Sequence, residues 1–186
     1  MARLSVFNHV SLDGYFADAD GDMGWGHSND AEWNIFVEQN AGGGGALVFG
    51  RITYELMAGF WPTPFAAESF PAVAERMNTL PKFVFSRKLD SVSWNNTTLL
   101  KGDLASEIRK MKTQADRNVV ILGSGTLVAQ LAQEGLIDEL LIVVNPIVLG
   151  QGRALFEGVR EKLPLKLIRS RVFANGNILL CYEPVS

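Results

Sequence analysis

Apolar and polar positions along this chain switch between two periods, and the switches mark its elements. Leu4 to Val10 is a short apolar-rich run that stops at the turn formers Ser11-Leu12-Asp13-Gly14, which predicts a first strand. Ala46–Phe49, Lys82–Phe85, Thr97–Leu100, Val119–Leu122 and Glu139–Val144 are runs of the same buried type and predict five more. Helical spacing fills the gaps. Asn29 or Asp30 is placed to cap a helix running to about Asn40, with Trp33, Phe36 and Val37 on one face. A short helix is expected from Thr53 to about Met57, and one helix from Phe65 to Met77. Leu104, Ile108, Met111 and Lys112 mark the next, and Thr126 to Glu134 the last, stopped by Gly135.

Strands alternating with helices predict an α/β fold whose sheet is mostly parallel and covered by helices on both faces, three layers in all. The end of the chain breaks the alternation. Leu165–Phe173 and Ile178–Glu183 are strand-like runs joined across Ala174-Asn175-Gly176-Asn177, where Asn-Gly favours a hairpin, so the sheet is expected to be mixed with an antiparallel C-terminal hairpin. Two segments are read as loops. Tyr15 to Ser28 is crowded with turn formers and carries an aromatic tip, Met23-Gly24-Trp25-Gly26, as a candidate lid. Asn145 to Arg153 is punctuated by glycines and reads as a surface loop with the capacity to border a substrate. Gly42 to Gly45 reads as a flexible connector.

Composition narrows the possibilities. At 186 residues the chain has room for one domain with a substantial core, residues 1–186. With 47% hydrophobic and 20% charged residues and a net charge of −3, it is unsuited to nucleic acid as a main partner. Its single cysteine, Cys181, forms no internal disulfide, and no apolar run is long enough to span a bilayer, so a cytoplasmic location is expected. His9 and His27 lack the neighbouring cysteines or acids of a metal centre, and no metal is expected.

In open α/β sheets ligands collect at the carboxyl ends of the strands, where helix N-termini offer unpaired N–H groups to an anion. Three junctions here have that form. Gly123-Ser124-Gly125-Thr126 ends a strand and opens a helix. It is either a phosphate cradle, with the glycines allowing close approach, or a tight turn with Thr126 as the cap. Gly50-Arg51-Ile52-Thr53 and Ser86-Arg87 add two arginines and further hydroxyls at strand ends. Together the three suit a ligand with several separated phosphates, such as a dinucleotide. Asp13, just past the first strand, and Glu32, in the first turn of the first helix, are the carboxylates within reach of such a cleft. A turn-forming Asp and a helix-N-terminal Glu explain the same two residues without catalysis.

Five segments in order, VSLDGYFAD (Val10–Asp18), LVFGRITYELM (Leu47–Met57), FVFSR (Phe83–Arg87), ILGSGTLVAQL (Ile121–Leu131) and GLIDELLIVVNPIVLGQGRALF (Gly135–Phe156), resemble the dihydrofolate reductase-like superfamily. In particular they resemble bacterial proteins grouped with the C-terminal reductase domain of the riboflavin-biosynthesis protein RibD. The resemblance implies a dihydrofolate reductase-like fold and NADPH as cofactor. It assigns Gly50, Arg51, Thr53, Ser86 and Arg87 to the adenine-side phosphates and Gly123, Ser124, Gly125 and Thr126 to the pyrophosphate. It places Asp13 and the loop bearing Trp25 and His27 beside nicotinamide and substrate, and Glu32 near the helix carboxylate of folate reductases. The implied activity is reduction of a pterin-like or ribosylaminopyrimidine-like compound, as in the 5-amino-6-(5-phosphoribosylamino)uracil reductase step of riboflavin biosynthesis. The alternatives are a dihydrofolate reductase-type activity or a nucleotide-binding module without turnover. Gly50-Arg51-Ile52-Thr53-Tyr54-Glu55 is closer to the folate-reductase form than to the riboflavin-pathway form. A homodimer is expected from the family and from the apolar C-terminal hairpin.

Overall fold

In a computed structural model, residues 2–26, 30–42, 45–114 and 117–185 are described. Ten strands and six helices are found among them. Eight strands form one sheet in the order β5 (Thr97–Leu100), β4 (Lys82–Phe85), β3 (Ala46–Gly50), β6 (Val119–Leu122), β1 (Leu4–Val10), β7 (Glu139–Val144), β10 (Ile178–Pro184), β9 (Leu165–Val172). The first six run parallel, and the last two form the antiparallel hairpin expected from Asn175-Gly176. Gly176 takes φ +89 in that turn and its N–H donates to Phe173 O.

Alternate residues of each central strand face opposite layers. On one side Val6, Val48, Ile121 and Leu140 pack with Leu104 and Ile108 of α5 (Leu104–Gln114) and Val128 and Leu131 of α6 (Gly125–Gln133). On the other, Leu47, Phe49 and Val84 meet Tyr54 of α2 (Arg51–Phe60) and Val73 and Met77 of α4 (Pro71–Thr79). Leu141, Val143 and Leu179 meet Trp33 and Phe36 of α1 (Ala31–Gly42). Val6, Val48, Ile121 and Leu140 are fully buried. Each such side chain contributes about 1.5–3 kcal/mol by leaving water.

Helix boundaries follow local chemistry. Asp30 caps α1, its carboxylate accepting from the Trp33 N–H at 2.9 Å; Asn29 lies outside the described residues. The helix expected over Phe65–Met77 is instead two, α3 (Pro64–Ser69) and α4, because Phe70 precedes Pro71 and takes φ −139, ψ 58. The proline ring excludes helical geometry at the residue before it and then serves as a first helical position. Helix α2 starts at Arg51 and runs to Phe60, longer than the pattern suggested at both ends.

The C-terminus of α4 is closed by a buried cation. Lys82, the first residue of β4, has no solvent exposure, and its ammonium donates to the carbonyls of Met77 (2.9 Å), Asn78 (3.3 Å) and Leu80 (2.8 Å). The ring of Trp94 lies 4.6 Å from Nζ. The Asn96 side chain caps the Thr79 carbonyl in the same way. Four carbonyls that a helix end leaves unpaired are thereby satisfied by two side chains.

The segment from Tyr15 to Ser28, expected to be irregular, holds a short strand, β2 (Tyr15–Ala17), and a single 3-10 turn at Gly24–Gly26. Strand β2 pairs antiparallel with β8 (Arg153–Ala154) at the end of the glycine-punctuated loop. Gly152 makes this pairing possible. It has φ +150, and a Cβ there would run into the carbonyl oxygen of Ala17.

Candidate active site

The carboxyl ends of β3, β4 and β6 lie side by side and open into a cleft of about 550 Å³, within the range of small-molecule sites. The first helical residue follows directly on β3: Gly50 is extended (φ −80, ψ 169) and α2 begins at Arg51 with no side-chain cap. After β6, Gly123 (φ +60) and Ser124 (φ +60, ψ 56) are both left-handed, and α6 starts at Gly125, also without a side-chain cap. Two helix N-termini therefore face one cleft, neither capped by the side chain of its own N-cap residue. Such an arrangement attracts anions through N–H donors and the positive ends of two helix dipoles.

Ser124 ties the two junctions together. Its hydroxyl accepts from the Gly50 N–H at 2.7 Å and lies within donating distance of Thr53 Oγ1 (3.1 Å) and the Leu122 carbonyl (3.3 Å). A left-handed serine is strained by about 1 kcal/mol or more, and these bonds hold it there. The glycines beside it serve packing rather than an opening for ligand. A Cβ on Gly123 would lie 2.7 Å from Thr53 Oγ1, and one on Gly125 would lie 2.7 Å from the ring of Phe16. Thr126 is the second helical residue and not the cap, and it lines the cleft.

The cleft walls carry Arg51, Lys88 and Arg153, against one carboxylate, Glu157. Arg51 is held by Glu55 at 2.8 Å, one turn on along α2. The Ser86 hydroxyl accepts from the N–H groups of Lys88 and Leu89, both at 3.1 Å, which turns the chain after β4 and brings Lys88 to the rim. Apolar lining comes from Phe16, Met23, Ile52 and Leu56.

Of the residues singled out in the sequence, Gly50, Arg51, Thr53, Ser86, Ser124, Gly125 and Thr126 meet in this cleft. Gly123 lies directly behind it, against Thr53. Arg87 is not among the lining residues. It lies near Asp103, whose carboxyl is held below its ordinary value by Ser106 above all and more weakly by Arg109 and Arg87.

Neither Asp13 nor Glu32 lines the cleft. Asp13 accepts from the Ser11 hydroxyl (2.6 Å) and from the N–H groups of Leu149 (3.1 Å) and Gly150 (2.7 Å). Ser11 first, then these two amides, hold its carboxyl below the usual range. Glu32 pairs with Arg171 (2.9 Å) and accepts from the Ala174 N–H (3.1 Å), binding α1 to the C-terminal hairpin; Arg171 first, then that amide, lowers its carboxyl too. Trp25 donates its indole N–H to Asp22 O at 3.0 Å, while the lid residue that reaches the cleft is Met23. His27 lies outside the described residues.

Arg153, Ala154 and Glu157 come from the far end of the glycine-punctuated loop, and Phe16 and Ala17 from β2. Two- and three-residue strands leave no periodicity to read, so only the glycines pointed to this wall.

A mixed sheet covered by helices on both faces, with two helix N-termini beside one cleft at the ends of its parallel strands, defines an α/β protein of the open-sheet class. The family is known: the chain belongs to the RibD C-terminal domain family, whose model matches residues 2–179. It is similar to the uncharacterized protein YyaP of Bacillus subtilis, 24% identical over 182 residues, covering 97% of this chain and 94% of that one. Among solved structures it is similar to a putative riboflavin biosynthesis protein from Shewanella sp. PV-4, with TM-score 0.76, 27% identity and full coverage of both chains. It also shares the fold of the Thermotoga maritima diaminohydroxyphosphoribosylaminopyrimidine deaminase/5-amino-6-(5-phosphoribosylamino)uracil reductase, with TM-score 0.69 and 15% identity; the match covers 99% of this chain and 57% of that one.

Proposed function

We propose that the cleft binds NADPH and that the protein is an NADPH-dependent reductase of a pterin-like or ribosylaminopyrimidine-like small molecule. The observation that carries this reading is the joining of two uncapped helix N-termini through Ser124 in one cleft edged by Arg51, Lys88 and Arg153. A dinucleotide presents separated phosphates, and each helix end suits one of them. Gly123–Thr126 is read as the pyrophosphate turn. Arg51 and the Ser86-Arg87-Lys88 turn are read as the site of the adenine-side phosphates. When bound, the cofactor supplies the hydride, and the protein's task is to orient it and exclude water.

Asp13 and Glu32 are both held below the ordinary carboxylate range, so they are ionised at neutral pH. A general acid works best with a pKa near the operating pH, which neither has. We read their contribution as positional. A cytoplasmic location accompanies this reading; among the described residues no helix is long and apolar enough to cross a membrane.

Titration with NADPH, followed by protein fluorescence and melting temperature, tests the cofactor: no response at millimolar concentration ends the reading. Turnover separates an enzyme from a binding module. NADPH oxidation over a panel of pterins, ribosylaminopyrimidines and small carbonyl compounds is expected with at least one of them, and none would favour binding alone.

The reading includes a homodimer through the C-terminal hairpin. All eight residues of β9 are exposed. Its register with β10 puts Leu165, Leu167 and Val172 on one face beside Pro184, Tyr182 and Ile178, and Lys166, Arg169 and Arg171 on the other. Face-to-face docking of the apolar sides buries this patch, whereas edge-to-edge pairing brings like charges together.

A further inference from the structure

The wall of the cleft that carries Arg153 is a layer of backbone pairing with one side chain at its foot. Leu12 N–H donates to Ile147 O at 2.8 Å, Tyr15 and Ala17 of β2 register with Ala154 and Arg153 of β8, and Leu155 N–H reaches Gly14 O at 3.3 Å. Gly152 passes against the Ala17 carbonyl, and Phe16 and the Leu155 carbonyl close on Gly125 at the start of α6. Every one of these links depends on the segment after β7 lying in register with the segment after β1. Asp13 bridges the two segments. Its two oxygens take three donors, one from its own turn (Ser11) and two from the facing loop (Leu149 and Gly150).

We propose that Asp13 is a positioning residue for the cleft: by clamping Leu149 and Gly150 to the turn after β1, it sets the pairing of β2 with β8 and so places Arg153 beside the bound cofactor. The inference rests on the NADPH reading of the cleft. It assigns the acidic residue of the Ser11–Gly14 turn a part in binding without contact to the ligand. An acceptor with two oxygens is needed there, because three N–H and O–H groups converge on it. The amide of an asparagine would turn one donor against another.

The test is a double-mutant cycle between Asp13→Asn and Arg153→Ala, reading the NADPH dissociation constant of the full chain together with amide hydrogen exchange. Each single variant is expected to weaken NADPH by roughly tenfold, and the double variant by no more than about twofold beyond Arg153→Ala alone, since residues acting as one unit are not additive. Exchange should quicken at residues 15–17 and 147–155 in Asp13→Asn, with β1 and β6 unchanged. Unchanged affinity in Asp13→Asn, or effects that multiply to roughly a hundredfold, would overturn the positioning role. If the parent protein fails to bind NADPH, the cofactor reading falls; the exchange arm still decides the clamp, and unaltered protection at 147–155 would refute it. Should Asp13→Asn fail to fold, Ser11→Ala, which removes one of the three donors and also the acceptor of the Tyr15 N–H, is expected to give the same affinity pattern at reduced size, with faster exchange read at 147–155. Full additivity with Arg153→Ala in that cycle counts against the proposal equally.

Discussion

Replacing Lys82 by methionine removes a buried charge and a helix cap in one step, and the two effects have opposite signs. Burial pushes the Lys82 ammonium down from 10.5 to about 8. At about 1.4 kcal/mol per pH unit, holding the proton at neutral pH costs about 3 kcal/mol of stability. Methionine is free of that cost. Against it stand the carbonyls of Met77 and Leu80, both buried and both left without their donor, at about 1–3 kcal/mol each. The lost contact with Trp94 adds about 0.5–2 kcal/mol. The balance predicts that Lys82→Met is less stable by about 2 kcal/mol at pH 7. The pH dependence is sharper than the net value. Below about pH 8 folded and unfolded chains both hold the proton; between about 8 and 10.5 only the unfolded chain does, so stability rises with pH through that window. Urea unfolding of the parent and the variant at pH 7, 8, 9 and 10 should show the gap widening by about 2–3 kcal/mol, because only the parent gains. A gap that stays constant or narrows would show that burial does not govern this lysine. A variant more stable than the parent at pH 7 would show that the α4 carbonyls find other partners.

Arg51→Ala and Lys88→Ala are expected to weaken NADPH by about 1–3 kcal/mol each and NADH by less; equal losses in a fluorescence titration with both cofactors would remove the adenine-side phosphate from this wall. Gly152→Ala should cost about 2–4 kcal/mol in denaturant melts, since its Cβ meets the Ala17 backbone and its φ is unsuited to alanine; a neutral result would mean that β2 and β8 are free to separate. Val172→Lys on the exposed face of β9 should shift sedimentation from dimer to monomer, and a parent that is monomeric at the highest concentration tested would end the dimer proposal.

Most of the sheet was legible because its strands are short apolar runs cut by glycine or turn residues, and the strand limits of β1, β4, β5, β6 and β7 agree with the pattern. The strand-to-helix junctions beside the cleft were legible for the same reason: Gly50-Arg51 and Gly123-Ser124 stand where a strand must become a helix. What the pattern could not carry were relations across the chain. Ser124 looked like a donor for ligand, yet its hydroxyl is turned toward Gly50 and Thr53, 74 and 71 positions away. Asp13 and Glu32 looked like candidates for chemistry because both stand within reach of a cleft at the strand ends. Besides the local Ser11 hydroxyl on Asp13, their partners are Leu149 and Gly150 in one case and Arg171 and Ala174 in the other, more than 130 positions distant. Arg153 was legible only as the end of a loop able to border a substrate, and Glu157 escaped notice, because a loop position has no periodicity to give it a direction.

The place of β1 in the sheet bears on how the chain folds. Strand β1 is fifth in an order of eight, and its two neighbours are Val119–Leu122 and Glu139–Val144. Strands β3, β4 and β5 pair among themselves from a contiguous stretch, residues 46–100, but β1 has no partner until more than a hundred further residues have been added. Closing such long loops for parallel pairings is slow, and an unpaired apolar strand is exposed to wrong partners while it waits. A fragment ending before β6 therefore lacks both strands that flank β1 and the α6 residues Val128 and Leu131, and leaves Leu4, Val6 and Val10 with only part of their cover.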